Sequence, residues 1–126
     1  MDSKKTIDKN KDFLEELKKF GAENLIFKPE GLGALEFDIT VTGKDFETKA
    51  RSFRIERIST QSFLRIADIP GEIQQATEVL KKFVAYPIEA RDIEFYNLDL
   101  DAMTNLVQII MNFQQTPSLF IKHFKK

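Results

Sequence analysis

The chain has 126 residues, of which 42% are hydrophobic and 31% charged, and this composition is typical of one globular domain spanning residues 1–126. It has no cysteine and one histidine, so disulfides, thiolate metal sites, iron–sulfur clusters and cysteine nucleophiles are excluded. Nineteen basic residues oppose twenty acidic ones, and this balance argues against a dedicated nucleic-acid-binding protein.

The N-terminal residues predict a short helix. Residues 1–12 are mostly charged and are predicted to be frayed. From Phe13 onward, apolar residues recur at helical spacing, and Gly21 is placed to end a helix over roughly residues 8–20. This stretch has no unbroken apolar run, so we expect no signal peptide, and no segment reaches the ~20 apolar residues of a membrane span. We therefore expect a cytoplasmic protein with no membrane partner.

The clearest local pattern is a β-hairpin. Residues 35–42 alternate strictly between apolar and polar side chains, which predicts a half-buried strand. A turn at residues 42–45 leads to a second strand with Lys49 and Arg51 on its solvent face. Because Phe53 has the same parity as these two cations, we expect a bulge near residues 50–52, or the end of the strand there.

Helical periodicity follows the hairpin. Ser59 or Thr60 is placed to cap a short helix, and an apolar stripe over residues 73–84 predicts a second helix that ends near residues 86–87. An acidic connection then leads to Asp99, which is placed to cap a long third helix. The predicted fold is α+β: an N-terminal helix, a β-hairpin or small antiparallel meander, and three helices packed on it. Residues 118–126 form a half-apolar tail, either folded back or flexible.

Groups that suggest catalysis have simpler structural explanations. Two carboxylate pairs stand close in sequence: Asp92 with Glu94, and Asp99 with Asp101. They suggest a magnesium site or an acid–base pair, but Asp99 as a helix cap and Asp101 as a first-turn acid explain the second pair. Gly31 and Gly33 precede a strand, so they predict a turn and not a phosphate loop. His123 has no orienting partner in sequence. We expect no enzyme activity, no metal and no cofactor.

The hairpin carries an excess of cations. We define the basic patch as Lys49, Arg51, Arg54 and Arg57. Residues 88–101, by contrast, carry five acids and one base. Three interpretations stay open: the patch binds an acidic partner or a nucleic acid, it pairs with the acidic segment of the same chain, or it pairs with that of a second copy in a homo-oligomer. Because no exposed Tyr or Trp is interleaved for base stacking, nucleic acid is the weakest partner.

Phenylalanine is unusually frequent, with twelve Phe beside two Tyr and no Trp. Phe carries no polar group, so this excess indicates packing or apolar contact surfaces. We expect some of these side chains at an interface, together with the apolar tail. The predicted partner-contacting residues are Phe113, Leu119, Phe120 and Phe124.

Residues 34–115 combine an amphipathic strand pair, small helices and the closing segment LKKFVAYPIEARDIEFYNLDLDAMTNLVQIIMNF, in which a proline-broken acidic connection precedes a helix opened by NLDLDAM. This pattern resembles the tail assembly chaperones of long-tailed bacteriophages. The resemblance implies a non-catalytic protein of the host bacterial cytoplasm that binds the tape measure protein and helps recruit tail tube subunits. In many phages of this family a frameshift near the end of the gene adds a C-terminal extension that binds the tube protein, and Lys125-Lys126 would fit an A-rich slippery run.

Two alternatives remain at this stage. The first is a small phage or bacterial inhibitor or adaptor protein that binds an acidic partner or nucleic acid through its basic hairpin; steep salt dependence distinguishes it from apolar groove binding. The second is a carboxylate-dependent hydrolase or enzyme subunit, for which magnesium held by Asp99 and Asp101 should raise the thermal midpoint.

Overall fold

The computed structural model describes residues 17–115, and it begins at the end of a helix. Residues 17–19 are helical, and the chain turns at Gly21, whose φ is +84°. The amide of Gly21 donates to the carbonyl of Lys18 and that of Ala22 to the carbonyl of Leu17, at 2.9 and 3.2 Å. Glycine takes this left-handed conformation at little cost, so the predicted helix end at Gly21 is confirmed. The rest of that predicted helix lies outside the described residues.

Four antiparallel strands form one sheet in the order β1-β2-β3-β4. The strands are β1 (Glu23–Lys28), β2 (Ala34–Thr42), β3 (Thr48–Glu56) and β4 (Val84–Tyr86). The first three are consecutive in the chain and form an antiparallel meander, but β4 joins the sheet after two helices, so the predicted order of elements was wrong. The apolar stripe over residues 73–84 predicts that the residues of β4 end a helix, and this prediction was wrong. Val84 instead pairs with Ile55 of β3, where a β-branched side chain packs well, and Pro87 disfavours helix in the residue before it.

The β2–β3 hairpin has an unbroken register. Ile39 lies opposite Arg51 and Val41 opposite Lys49, and pairing runs without a shift from one end of the strands to the other. The hairpin has no bulge near residues 50–52 and β3 does not end there, so both expectations were wrong. Lys49 is exposed and Arg51 half-buried, so both reach solvent as predicted, but they do so from the face of the sheet that carries the core. Both share the face of buried Phe53. They lie toward the hairpin end of that face, where long aliphatic stems can pass over apolar surface and leave the charge in water.

Three α-helices and two short 3-10 helices complete the described chain. They are α1 (Thr60–Ala67), α2 (Glu72–Phe83), η1 (Ile88–Arg91), η2 (Ile93–Tyr96) and α3 (Leu100–Gln115). Ser59 caps α1 by accepting a hydrogen bond from the amide of Ser62 at 3.1 Å. The cap is therefore Ser59, one of the two residues that the sequence offers for this role. None of the helices described between residues 17 and 115 has both the length and the apolar character needed to cross a bilayer.

One hydrophobic cluster joins a face of the sheet to the helices and confirms the α+β class. Its largest fully buried side chains include Phe53 of the sheet, Phe83 of α2 and Phe113 of α3. β2 contributes four apolar side chains to this cluster, whereas the polar side chains that alternate with them are only partly buried or exposed. The sheet therefore has one face covered by helices and one open face, and the hairpin projects toward η1 and η2.

Candidate functional site

A cleft of about 440 Å³ lies between the end of the β2–β3 hairpin and the η1–η2 segment, and we call it the charged cleft. Cations of the hairpin line one wall: Lys44, Lys49 and Arg51. Carboxylates of the η1–η2 segment line the other: Glu89, Asp92 and Glu94. Val41 and Phe95, both largely buried, add apolar lining, and Asp45 adds a carboxylate on the hairpin side. The cleft therefore offers positive, negative and apolar surface within a short distance.

Arg51 connects the two walls. Its Nη2 lies 3.7 Å from Oε1 of Glu89, and its guanidinium carbon lies 5.6 Å from the centre of the Phe95 ring. Hydrogen bonds between such charged groups are usually about 2.7–2.9 Å, so the contact with Glu89 is loose. The stack on Phe95 is within the range of a cation–π interaction and orients the guanidinium. A ligand can therefore replace Glu89 at Arg51 without breaking a short hydrogen bond.

The hairpin wall is shaped by its turn. The carboxylate of Asp45 accepts a hydrogen bond from the amide of Glu47 at 3.1 Å, and this bond holds the pKa of Asp45 below its ordinary value. The amide of Gly43 donates to the carbonyl of Glu47 at 3.0 Å and closes the turn. Phe46 takes a positive φ of 65° and leaves its ring 79% exposed at the tip. The cations of this wall thus stand on a turn closed by its own hydrogen bonds.

The acidic wall is held by two local contacts. Asp92 caps η2 by accepting a hydrogen bond from the amide of Glu94 at 3.0 Å. The hydroxyl of Tyr96, which is buried, donates to the carbonyl of Ala90 at 2.7 Å and ties η2 to η1. Burial raises the pKa of this phenol, so it stays a neutral donor. These contacts fix the backbone from which the cleft carboxylates project.

The four residues of the basic patch do not form one surface. Lys49 and Arg51 line the charged cleft, whereas Arg54 has the opposite parity on β3 and lies on the open face of the sheet. There its guanidinium pairs with three carboxylates at 2.6, 2.9 and 3.1 Å: Glu30, Glu36 and Glu56. These partners, Glu30 foremost, raise the pKa of the guanidinium.

Arg57 has a structural environment of its own. Its two terminal nitrogens donate to the carbonyls of Leu32 and Gln114, both at 3.2 Å. It therefore joins the β1–β2 turn to the end of α3. Because the β2–β3 register is unbroken, Arg51 and Arg54 project to opposite faces of the sheet. Closeness in sequence therefore grouped four cations that the structure distributes over separate surfaces.

The paired carboxylates act in local structure. Asp99 accepts hydrogen bonds from the amide of Ala102 at 3.0 Å and from that of Thr42 at 2.9 Å, so it caps α3 as predicted and also binds the end of β2. Asp101 lies in the first turn of the same helix. Between residues 17 and 115, no three His, Cys, Asp or Glu side chains are grouped so that they could hold a metal ion.

Of the four predicted apolar anchors, only Phe113 lies within the described residues. Phe113 is 0% exposed, and its ring packs edge-on against Phe27 at a centroid distance of 6.3 Å. In this conformation it belongs to the core and presents no surface to a partner, because the apolar stripe of α3 faces the sheet. The predictions for Leu119, Phe120 and Phe124 lie outside the described residues.

Sequence patterns missed the environments of three apolar side chains. Ile73 was assigned to the buried stripe of α2 but is 71% exposed, and Ile88 is 73% exposed on η1. Phe95, which carries the Arg51 stack, gave no periodic signal because η2 is a single 3-10 turn. The opposite charges of the hairpin and residues 88–101 were a usable signal. They left three interpretations open, and the Arg51–Glu89 contact corresponds to one of these, pairing within one chain.

Comparison with protein-family models, with curated proteins and with solved structures found no match to this chain.

Proposed function

We propose that this protein is a non-catalytic tail assembly chaperone of a long-tailed bacteriophage, which binds the tape measure protein and helps recruit tail tube subunits. The observation that carries the proposal is the charged cleft, with cations on one wall, carboxylates on the other and the largely buried Phe95 ring beneath Arg51. Such a site suits a partner that combines an apolar stripe with charges of both signs.

A long amphipathic helix has these properties. It exposes an apolar stripe flanked by charged side chains, and it aggregates when the stripe stays uncovered. In the charged cleft, Lys44 and Lys49 would face its acids, Glu89 and Glu94 its bases, and Phe95 its apolar side chains. The charged pairs would set orientation and the apolar contact most of the affinity.

A second groove extends the same surface. A groove of about 540 Å³ lies beside α2, and its lining includes Ile88 and Ile93 with Lys81, Arg91 and Asp92. Asp92 lines this groove and the charged cleft, so the two adjoin along the η1–η2 segment. An apolar centre with a charged rim is the arrangement by which grooves receive amphipathic helices. An extended partner could therefore contact both sites at once.

The adaptor alternative, in which the basic hairpin binds an acidic protein or a nucleic acid, has less support. It needs several uncommitted cations on one face. Arg54 instead contacts three carboxylates, Arg51 contacts Glu89, and these two arginines lie on opposite faces of the sheet. The salt dependence of partner binding separates the two proposals, because counterion-driven binding weakens steeply with added salt whereas apolar groove binding does not.

The proposal predicts that a gene for a long helical protein lies next to the gene for this chain, and the direct test is co-expression with that protein. We expect that protein to be insoluble alone and to form a soluble complex with this chain. Arg51→Glu should abolish the complex, and the double variant Arg51→Glu with Glu89→Arg should restore part of it. Arg65→Glu is the matched control, since Arg65 is exposed on α1, away from the cleft lining. A neighbour that is equally soluble without this chain, or a complex unaffected by Arg51→Glu, would overturn the proposal.

A further inference from the structure

The open face of the sheet carries a row of side chains that crosses all four strands. Ile26 lies opposite Glu36, Glu36 opposite Arg54, and Arg54 opposite Tyr86. The two ends of the row lie on the edge strands, where Ile26 is 49% and Tyr86 58% exposed. Between them is a shallow groove of about 530 Å³. The helices cover the other face of the sheet, so no described element covers this row.

This face is acidic although the hairpin sequence is basic. The strand register and the Arg54 contacts place five carboxylates on it: Glu23, Glu30, Glu36, Asp38 and Glu56. Two cations accompany them, Arg54 and Lys28. The cleft cations Lys49 and Arg51 project to the opposite face and do not offset this charge. The open face therefore has an excess of negative charge beside two half-exposed apolar side chains.

The carboxylate of Asp38 is oriented by two hydrogen bonds and can accept further ones from a ligand. Its Oδ2 accepts a hydrogen bond from the side-chain amide of Asn24 at 2.8 Å, and its Oδ1 accepts one from the hydroxyl of Ser52 at 2.9 Å. Both donors are neutral, so the full negative charge stays uncompensated. Each carboxylate oxygen has a second lone pair for another donor. Asp38 is thus a fixed, ionised acceptor that lines the groove.

We propose that this open face is a docking surface for a lysine- or arginine-rich segment of a partner protein. A cationic side chain of that segment binds Asp38 and Glu36, and its aliphatic stem lies against Ile26. A second cation stacks on the ring of Tyr86, which stands at the other end of the row. The excess of carboxylates disfavours acidic segments and nucleic acids on the same face. This surface is opposite the charged cleft, and the proposal does not depend on the tail assembly function.

The test uses the full-length chain, isotopically labelled, and a short synthetic arginine-rich peptide as the probe. A glutamate-rich peptide of the same length is the control probe. We expect amide shifts on titration to concentrate at residues 24–26, 36–38, 52–54 and 86, and the glutamate-rich peptide to cause none. The double variant Glu36→Gln with Asp38→Asn should weaken binding by ~10-fold or more, which corresponds to at least ~1.4 kcal/mol.

Two further variants separate docking from general attraction of opposite charges. Tyr86→Ser leaves the charge unchanged and should still weaken binding several-fold, because it removes the stacking surface. Glu72→Gln removes one exposed carboxylate from α2, outside the lining of both the open-face groove and the charged cleft, and should leave binding within twofold. Shifts that map to the cleft, an effect of Glu72→Gln equal to that of the double variant, or no effect of Tyr86→Ser would overturn the proposal. Circular dichroism confirms that each variant is folded.

Discussion

The side-chain amide of Gln114, near the end of α3, forms two hydrogen bonds with the backbone of Ile58. Its Nε2 donates to the Ile58 carbonyl at 3.0 Å, and its Oε1 accepts from the Ile58 amide at 3.1 Å. Gln114 is only 5% exposed. The amide thus pairs with the backbone of the connection between β3 and α1 as a neighbouring strand would, and no strand within residues 17–115 pairs with Ile58.

Gln114→Ala should lower the free energy of unfolding by about 2 kcal/mol, because it leaves two part-buried backbone groups of Ile58 without partners. Urea unfolding measures the change. Gln108→Ala on the exposed side of the same helix is the control and should stay within ~0.5 kcal/mol of the parent. Equal effects of the two substitutions would show that the Ile58 contact contributes nothing beyond helix propensity.

Asp99→Ala should also cost about 2 kcal/mol, because one carboxylate serves two amides. The substitution removes the capping hydrogen bond from the Ala102 amide at the start of α3. It also removes the hydrogen bond from the Thr42 amide, which ties the helix to β2. Asp101→Ala, in the first turn of the same helix, loses only a favourable dipole interaction and should cost less than ~1 kcal/mol. Thermal unfolding of both variants at neutral pH tests the difference, and a smaller loss for Asp99→Ala than for Asp101→Ala would contradict it.

Ser52→Ala should raise the pKa of Asp38. The hydrogen bonds from Asn24 and Ser52 hold this pKa below the ordinary value of 3.8. A lowered pKa in the folded state means a stabilising contribution that is present above the unfolded pKa and is lost as pH falls through the folded one. The stability difference between parent and variant should therefore be largest above about pH 4 and vanish in stronger acid.

Titration of the Asp38 carboxyl by NMR gives the pKa directly. The Asp45 carboxyl serves as the internal control, because its lowered pKa depends first on the Glu47 amide and not on Ser52. A Ser52→Ala chain in which the pKa of Asp38 is unchanged, or in which that of Asp45 moves equally, would contradict the assigned cause.

Arg54→Met should destabilise the fold by about 1 kcal/mol at low salt, because it leaves the carboxylates of Glu30, Glu36 and Glu56 facing one another without a cation. Added salt screens that repulsion, so the difference from the parent should shrink as ionic strength rises. Arg65→Met, at an exposed position of α1, should change stability by less than ~0.5 kcal/mol at any salt concentration. A salt-independent loss for Arg54→Met would point to lost packing instead.

Much of the local structure could be read from short patterns. The alternation in residues 35–42 predicted β2, and the side chains of Ser59 and Asp99 predicted the starts of α1 and α3. Each of these depends on contacts within a few residues: the pleat of a strand, or a side-chain oxygen that reaches an amide two or three positions ahead. The α+β class followed from the same patterns, and the structure confirms it.

Other features depend on residues distant in sequence. β4 forms because Val84 meets Ile55, and Lys49 and Arg51 line the charged cleft because the β2–β3 register runs without a bulge. In both cases the local pattern predicted a different structure. For β4 the reason is its length, because three residues have too few side chains to show a period. For Lys49 and Arg51 the reason is the register. A single step in register moves a whole strand face from water to core.

The sequence by itself determined where the main strands and helices begin, since caps, turns and periodicity act over a few residues. Only the tertiary structure decided how the charges are grouped. It separated Arg51 from Arg54, faced the hairpin cations with the η1–η2 carboxylates, and left the open sheet face acidic. The physical reason is that strand alternation sends neighbouring charges to opposite faces, whereas folding brings together charges that are far apart in the chain.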